Sequence, residues 1–392
     1  MSTGDAHWME RALRLAEVAM GTVAPNPAVG AILVRQGAVL GQGWTRPAGG
    51  HHAEIVALHD CRDQGVDTAG ATMVVTLEPC CHHGRTPPCT DAILAAGVTR
   101  VVVGALDPFH KNRGAAIASL RAAGVEVTLG VLEDACARQV LGFARSIEAG
   151  LPEVTLKAAI SADGRIATET GESKWITGPM ARQDGHALRA AHDALLVGIG
   201  TALADDPRLT ARVAPSDEAV RVHPTPVVLD TDLRLPASAQ LLRSPTRAVV
   251  IAADDAPARE LTAHIVRVPR GPGGVDLQAA LEALAERGLH RVLVEGGGRV
   301  HRGLLQAGLA DTLHLYVAGV VVPGGVPWVG GPAISALDDA LRMSLRDLTR
   351  LGPDARLTYD LTHAVSPDPH AALRSPSERQ AVRTPQTRGD DV

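Results

Sequence analysis

Thr76-Leu77-Glu78-Pro79-Cys80-Cys81-His82-His83-Gly84-Arg85-Thr86-Pro87-Pro88-Cys89, preceded by His52-Ala53-Glu54, is the stretch on which the fold turns. One imidazole (His52) and two thiolates (Cys80, Cys89) can hold a zinc ion and leave its fourth position open for water, the mark of a catalytic rather than a structural site. Glu54, two residues after the His, can stand beside that water without binding the metal. Eight residues separate Cys80 from Cys89, so the short P-C-x-x-C spacing is opened by an insertion.

A closed structural site built from Cys80, Cys81, His82, His83 and Cys89 is the competing assignment. Structural sites favour four protein ligands in tight C-x₂₋₄-C pairs, which this stretch lacks. The flanking patterns favour the open site. His52 precedes apolar Ala53, Ile55, Val56 and Leu58, and Cys89 opens Thr90-Asp91-Ala92-Ile93-Leu94, so both stand at helix starts, where a thiolate is favoured. Ala71–Leu77 (ATMVVTL) has the apolar run of a buried strand ending just before Cys80. A strand end and two helix starts meet at one edge of an α/β sheet, where ligand sites lie.

The chain has 392 residues, too many for one typical domain. Only 2% are aromatic, so the cores are aliphatic and stacking on nucleic acid is disfavoured. A formal charge of −5 gives no basic field for polyanions. Five cysteines, three of them close together, indicate metal chemistry in a reducing compartment rather than a disulfide framework. The N-terminus carries no signal-peptide apolar core and no stretch reaches about 18 uninterrupted apolar residues, so the expectation is a cytoplasmic protein with no membrane partner.

Trp8–Met20 has helical spacing, and Pro25-Asn26-Pro27 breaks it. Val29–Arg35 and Ala38–Trp44 flank Gln36-Gly37 as a hairpin. Strand and helix then alternate (helix 52–62, strand 72–77, helix 89–96, strand 100–104, helix 115–123, strand 125–129), predicting a mostly parallel sheet with helices on both faces. One long helix is predicted over Glu133–Glu148, and Gly150-Leu151-Pro152 marks a boundary. A second α/β pattern has strands at 154–159, 194–197, 225–229, 248–252, 291–295 and 312–317. The expected domains are 1–149 and 150–361, with Thr362–Val392 a disordered tail.

The run from Thr76 to Cys89 resembles the long zinc loop of the bifunctional riboflavin-biosynthesis deaminase/reductase family. Further matches follow in family order: Pro25-Asn26-Pro27-Ala28-Val29-Gly30, Ser161-Ala162-Asp163-Gly164-Arg165, Gly171-Glu172-Ser173-Lys174-Trp175-Ile176-Thr177 and Thr201-Ala202-Leu203-Ala204-Asp205-Asp206-Pro207. Five ordered motifs over roughly residues 7–361 are far more specific than one zinc signature. The resemblance implies an α/β chain with a cytidine-deaminase-like domain followed by a dihydrofolate-reductase-like domain. Its cofactors would be Zn²⁺ and NADPH, and its substrate a small phosphoribosylaminopyrimidine. A homo-oligomer is compatible with it.

By that resemblance His52, Cys80 and Cys89 are zinc ligands and Glu54 moves the protons of a hydrolytic deamination. Asn26 would bind the pyrimidine and Arg85 its phosphate. The Arg85 assignment also has a physical case, because a permanently charged planar donor fork suits a phosphomonoester. His82 and His83 are open between loop positions and substrate contacts. Ala159, Trp175, Thr201, Asp205 and Thr231 would meet the nicotinamide cofactor, and Ser173, Arg189, Leu209, Arg212 and Glu295 the ribosyl substrate. Lys157 and Asp206 would line the same pocket. Core packing is an equal alternative for Trp175. Glu295-Gly296-Gly297-Gly298 follows a strand and leads into a helix over His301–Ala307. It does not complete G-x-G-x-x-G, yet its amides can cradle a pyrophosphate at Gly297 and Gly298.

The chain departs from the family at Phe109-His110-Lys111-Asn112-Arg113-Gly114, where an Asn-Pro and Gly-rich stretch is usual, at His51 (usually Pro) and at Cys81 (usually small and polar). These departures leave room for a paralogue acting on a related pyrimidine in a specialised, antibiotic-type pathway. A nucleic-acid deaminase conflicts with the charge and the aromatic content, and a non-catalytic zinc scaffold with the intact His52, Glu54, Cys80 and Cys89.

Overall fold

The computed structural model describes residues 3–83, 87–213, 223–331 and 335–361. Arg85 and the 362–392 segment, both given roles above, lie outside the described residues.

The first sheet is made from β1 (Gly30–Arg35), β2 (Ala38–Trp44), β3 (Thr72–Leu77), β4 (Arg100–Ala105) and β5 (Glu126–Leu129) in the order β2-β1-β3-β4-β5. β3, β4 and β5 are parallel, but β1 runs antiparallel to both neighbours, so this sheet is mixed rather than mostly parallel. The Gln36-Gly37 turn sends the chain straight back, which forces the first pair to be antiparallel. Helices α1 (Thr3–Ala19), α2 (Ala53–Asp63), α3 (Cys89–Ala95) and α4 (Ala115–Ala122) accompany it, with Met9, Ile32, Met73 and Val102 fully buried in an aliphatic core. Close packing places α2: a Cβ at Gly43 would stand 2.6 Å from the Ala53 carbonyl, and one at Gly41 2.6 Å from that of Ala57. Only glycines let β2 lie this near the helix whose first turn carries Glu54.

The long helix predicted over Glu133–Glu148 is two helices, α5 (Glu133–Gln139) and α6 (Leu141–Ala149). Val140, at φ −106° and buried, breaks the helical path between them. The break lets α6 dock on the second half, where a Cβ at Gly142 would stand 2.5 Å from the His290 carbonyl. Apolar periodicity runs unbroken through 133–148 and carries no sign of this bend.

The second half comprises β6 (Glu153–Ser161), β7 (Arg165–Ala167), α7 (Pro179–Ala190), β8 (Ala194–Gly198), α8 (Ile199–Asp205), β9 (Thr225–Leu229), β10 (Val249–Ala253), β11 (His264–Val268), β12 (Arg270–Gly271), β13 (Gly274–Val275), α9 (Leu277–Ala285), β14 (Arg291–Val294), α10 (Gly298–Gln306), β15 (Thr312–Ala318), β16 (Val326–Pro327), β17 (Met343–Leu351) and β18 (Asp354–Leu361). Nine strands form one sheet, β11-β10-β9-β8-β14-β6-β15-β18-β17; the first seven are parallel and the β17–β18 hairpin closes the edge antiparallel. β12–β13 and β7–β16 are separate two-stranded ribbons. All six strands expected here are present; β11, β17, β18 and the ribbons were not anticipated. β17 is a solvent-facing edge rich in Arg and Asp, so it lacks the apolar signal by which buried strands are recognised.

Candidate active sites

In the first half, His52 is the residue immediately before α2, Cys89 is the first residue of α3, and Cys80 lies three residues beyond β3. His52 Nδ1 stands 3.6 Å from Cys80 Sγ and 3.3 Å from Cys89 Sγ, and the three ligand atoms lie within 4.8 Å of one another. Metal bonds of about 2.0–2.3 Å in a tetrahedron put donor atoms about 3.3–3.8 Å apart, so the cluster has the dimensions of a zinc site. The electrostatics agree. The Cys89 thiol, hydrogen-bonded to Cys80, and His52 beside it push the Cys80 thiol down to about 4 against its burial, while Cys89 is pushed up. A bound divalent ion would favour the thiolate form of both sulfurs. Glu54 is buried beside the cluster, and burial, with the Cys80 thiolate close by, raises its carboxyl.

Cys81 belongs to no metal-binding cluster among the described residues, and His82 packs against Phe109 with 5.5 Å between ring centres. The closed structural site is therefore not formed there. Asn26 is half-buried in the turn before β1, held by its own N–H donating to the Val23 carbonyl (2.9 Å). Gly30 at the end of that turn donates to Thr76 Oγ1 (3.2 Å), so the turn and the Cys80 loop occupy the same sheet end. Among the residues given no role from the sequence, Glu78 accepts from the amides of Asp107, Gly114 and Ala116, and Asn112 bonds to Pro79 and Cys81. Glu78 stands inside the motif run, but a buried acceptor leaves no periodic trace.

In the second half, a cavity of about 1940 Å³ opens outside the carboxyl ends of β8, β9 and β14, the usual ligand edge of a parallel sheet. Single-ligand pockets run to roughly 300–1,000 Å³, so this one has room for two ligands. Ala159, Trp175, Thr201, Asp205 and Thr231 line it, as do Gly297 and Gly298. Ser173, Arg189, Arg212, Glu295 and Lys157 also face it. Trp175 is 69% exposed, with the Arg182 guanidinium 4.5 Å over its ring, which rules out core packing.

Two expected pocket residues are elsewhere. Asp206 turns away: its carboxylate accepts from the backbone N–H (2.8 Å) and side-chain amide (3.2 Å) of Gln240, tying down the short helix at 240–243. Asp206 sits at φ +38°, just past the end of α8, and that reversal points its side chain out of the cavity. The Leu209 side chain is buried in a core with Leu195, Val228 and Leu235, because an isobutyl group gains more there than in a polar cavity; toward a ligand it can offer only its backbone.

The polar wall of the cavity is an ion-pair network. Arg189 forks onto Glu295, donating from Nε (2.7 Å) and Nη2 (2.5 Å), and also to the Thr210 carbonyl from Nη1 (3.1 Å). Burial would raise the Glu295 carboxyl, but Arg189 and then Lys157 outweigh it and hold it at about 2. His186, found only in the structure, accepts from Arg212 Nε (3.2 Å), and burial with the Arg189 and Arg212 cations pushes it down to about 4. The wall therefore presents a fixed carboxylate, three cations and a neutral imidazole. Opposite, Gly297 at φ +58° caps α10, and a Cβ on Gly298 would stand 3.1 Å from the Trp328 carbonyl. Bare amides at the start of a nine-residue helix suit a pyrophosphate.

Comparison with known proteins agrees with both halves. Residues 152–357 match the family described as the RibD C-terminal domain, and residues 2–105 the cytidine and deoxycytidylate deaminase zinc-binding region. The riboflavin biosynthesis protein RibD of Aquifex aeolicus is 38% identical over 89% of this chain and 96% of its own length. That of Escherichia coli is 36% identical over 90% and 98%. Among solved structures, Acinetobacter baumannii RibD has a TM-score of 0.81 at 36% identity, covering 92% of this chain and 99% of its own. A diaminohydroxyphosphoribosylaminopyrimidine deaminase/5-amino-6-(5-phosphoribosylamino)uracil reductase from Thermotoga maritima has 0.81 at 32%, over 91% and 99%.

Proposed function

This chain belongs to the RibD family and is a bifunctional deaminase and reductase of riboflavin biosynthesis, and from that premise we propose which of its residues perform each reaction. The observation that carries the proposal is the convergence of His52, Cys80 and Cys89 around buried Glu54. Residues 1–149 would deaminate 2,5-diamino-6-(5-phosphoribosylamino)pyrimidin-4-one, and residues 150–361 would reduce the ribosyl chain of the product to ribityl.

His52, Cys80 and Cys89 would hold zinc, which would supply a Lewis acid that makes water nucleophilic at neutral pH. Glu54 would take one proton from the attacking water and pass it to the ring nitrogen, then take the remaining hydroxyl proton and pass it to the amine, so that the C–N bond breaks, ammonia leaves and a ring carbonyl remains. Its raised affinity for a proton, caused by burial, suits a group that must hold one between steps. Asn26 would orient the pyrimidine and Arg85 its phosphate.

In the reductase, bound NADPH would supply the hydride for reduction at the sugar C1′. The Gly297–Gly298 amides would take its pyrophosphate, and Thr201, Asp205 and Thr231 would fix its orientation beside Ala159 and Trp175. Arg189 and Glu295 are locked together, so they act as a rigid wall against which Ser173, Arg212, Lys157 and the Leu209 backbone would position the ribosyl phosphate. No helix among the described residues is long and apolar enough to cross a membrane. The five free cysteines support a reducing, cytoplasmic setting, and the open edge strand β17, with Leu345 and Leu348 exposed, supports a homo-oligomer.

Incubation with the phosphoribosylaminopyrimidine should release ammonia without NADPH and yield the ribitylamino-uracil with it, followed by mass analysis. Failure to release ammonia from zinc-replete protein would overturn the substrate assignment.

A further inference from the structure

Of the three ligands in the first site, two are set by regular structure: His52 abuts α2 and Cys89 begins α3. Cys80 is not, since residues 78–81 belong to no helix or strand. Its position comes from specific bonds: the α3 amides of Cys89 and Thr90 donate to its Sγ (3.3 Å) and its carbonyl (3.2 Å), and one side chain, Asn112, holds the residues that flank it. Asn112 is fully buried. Its Oδ1 accepts from the Cys81 N–H at 2.8 Å, and its Nδ2 donates to the Pro79 carbonyl at 2.9 Å and to Asp107 Oδ2 at 3.0 Å. The amide orientation is fixed by its partners, since the Cys81 N–H can only donate and the Pro79 carbonyl only accept. Asn112 therefore grips the residue on each side of the ligand.

The grip is itself anchored. Asp107 accepts from the Phe109 N–H at 2.8 Å, and its own N–H donates to Glu78 Oε2 at 3.2 Å. Glu78 also accepts from Gly114 and Ala116, which tie the loop to the start of α4. The 107–114 segment, which includes the 109–114 departure from the family pattern, is thus built inward, with the zinc loop as its load.

We propose that Asn112 is a positioning residue for Cys80, holding Pro79 and Cys81 so that the thiolate stays aimed at the metal, and that it thereby sets how tightly this chain retains zinc. The proposal rests on the zinc-site reading given above. Partners that orient metal ligands are worth about tenfold to a hundredfold in metal affinity, and that is the loss expected here.

The test is zinc affinity of the full chain, measured by competition with a chelator, together with the visible spectrum of the cobalt-substituted protein. Asn112→Ala should weaken zinc binding about tenfold to a hundredfold and alter the thiolate-to-cobalt bands. NADPH binding in the second half should be unchanged. Asn112→Asp keeps the acceptor for Cys81 but places a carboxylate against Asp107; it should also weaken zinc, and Asp107→Asn in the same chain should recover part of the loss by returning a donor. Val102→Ala, in the core of β4, serves as the control for general loosening, lowering Tm without changing zinc affinity. Wild-type affinity and cobalt bands in Asn112→Ala, or a loss no greater than that of Val102→Ala, would overturn the proposal. Should Asn112→Ala not fold, Asn112→Asp with and without Asp107→Asn decides: no loss, or no recovery, overturns it. A wild-type chain that takes up no zinc would bring down the zinc-site reading itself, a result distinct from an intact site indifferent to Asn112.

Discussion

Cys80 and Cys81 are neighbours in the chain with opposite surroundings. Cys80 faces His52 Nδ1 and receives the Cys89 N–H at 3.3 Å, whereas the Cys81 backbone N–H is held by Asn112 and burial pushes its thiol up. Cys80→Ser or Cys89→Ser should therefore abolish zinc retention and ammonia release together, because a hydroxyl is a poor ligand for a borderline-soft ion. Cys81→Ser should keep both. Metal content and ammonia release of the three variants check this, and zinc loss from Cys81→Ser alone would refute the ligand set. At this scale the ligand cluster was legible because a metal needs particular donor atoms, and few residue types supply them. Glu78, Asp107 and Asn112 were not, since any buried amide or carboxyl can take such partners once the chain has folded around it.

The elements were legible where burial is two-sided or helical, and illegible where they face water or bend. β9 and β14 were found as apolar runs, while β17, with Arg346, Asp347 and Arg350 at the sheet edge, has no such run. The start of α10 shows what an element can be built to do. Gly297 has φ +58°, and a Cβ there would stand 3.3 Å from Thr201 Oγ1. Gly297→Val would place a β-branched residue in the left-handed region, at a cost of about 1–3 kcal/mol, and would fill the turn whose amides are free for a pyrophosphate. NADPH affinity, read by fluorescence titration, should fall by about tenfold or more, since 1.4 kcal/mol is a factor of ten. Zinc content should not change. Unaltered NADPH binding would remove this turn from the cofactor site.

The whole molecule joins two separate chemistries through one packed boundary. Arg145 on α6 is paired with Asp311, which also accepts from the Val154 N–H, and both partners are shielded from water. Stability should also be shared unevenly. Burial holds His192 at about 3 and His314 at about 4, below the unfolded value near 6.5, so each is neutral when folded. Their contribution is fully present above about pH 6.5 and is lost as pH falls toward 4. Burial raises Asp193 to about 6 and Asp311 to about 7, which adds stability over the same window, so the test is a difference. Urea unfolding of His192→Gln should lose less stability than wild type as pH falls from about 6.5 to about 4, by up to about 1.4 kcal/mol per pH unit; equal slopes would contradict it. Catalysis divides differently from folding. Glu54 and the ligand cluster stand at one end of the five-stranded sheet, while Asp205 and Glu295 stand at the carboxyl edge of the nine-stranded one. No side chain proposed for one reaction is proposed for the other. Glu54→Gln should therefore slow ammonia release by about 10²-fold or more, the usual scale for losing a general acid/base, and still reduce the deaminated intermediate supplied with NADPH. Asp205→Ala should do the reverse, releasing ammonia and accumulating the ribosylamino-uracil. Because the Arg145–Asp311 contact ties the halves, modest rate changes in the untouched reaction are expected. Loss of both activities in a folded, zinc-replete Asp205→Ala protein would mean that the two sites work as one.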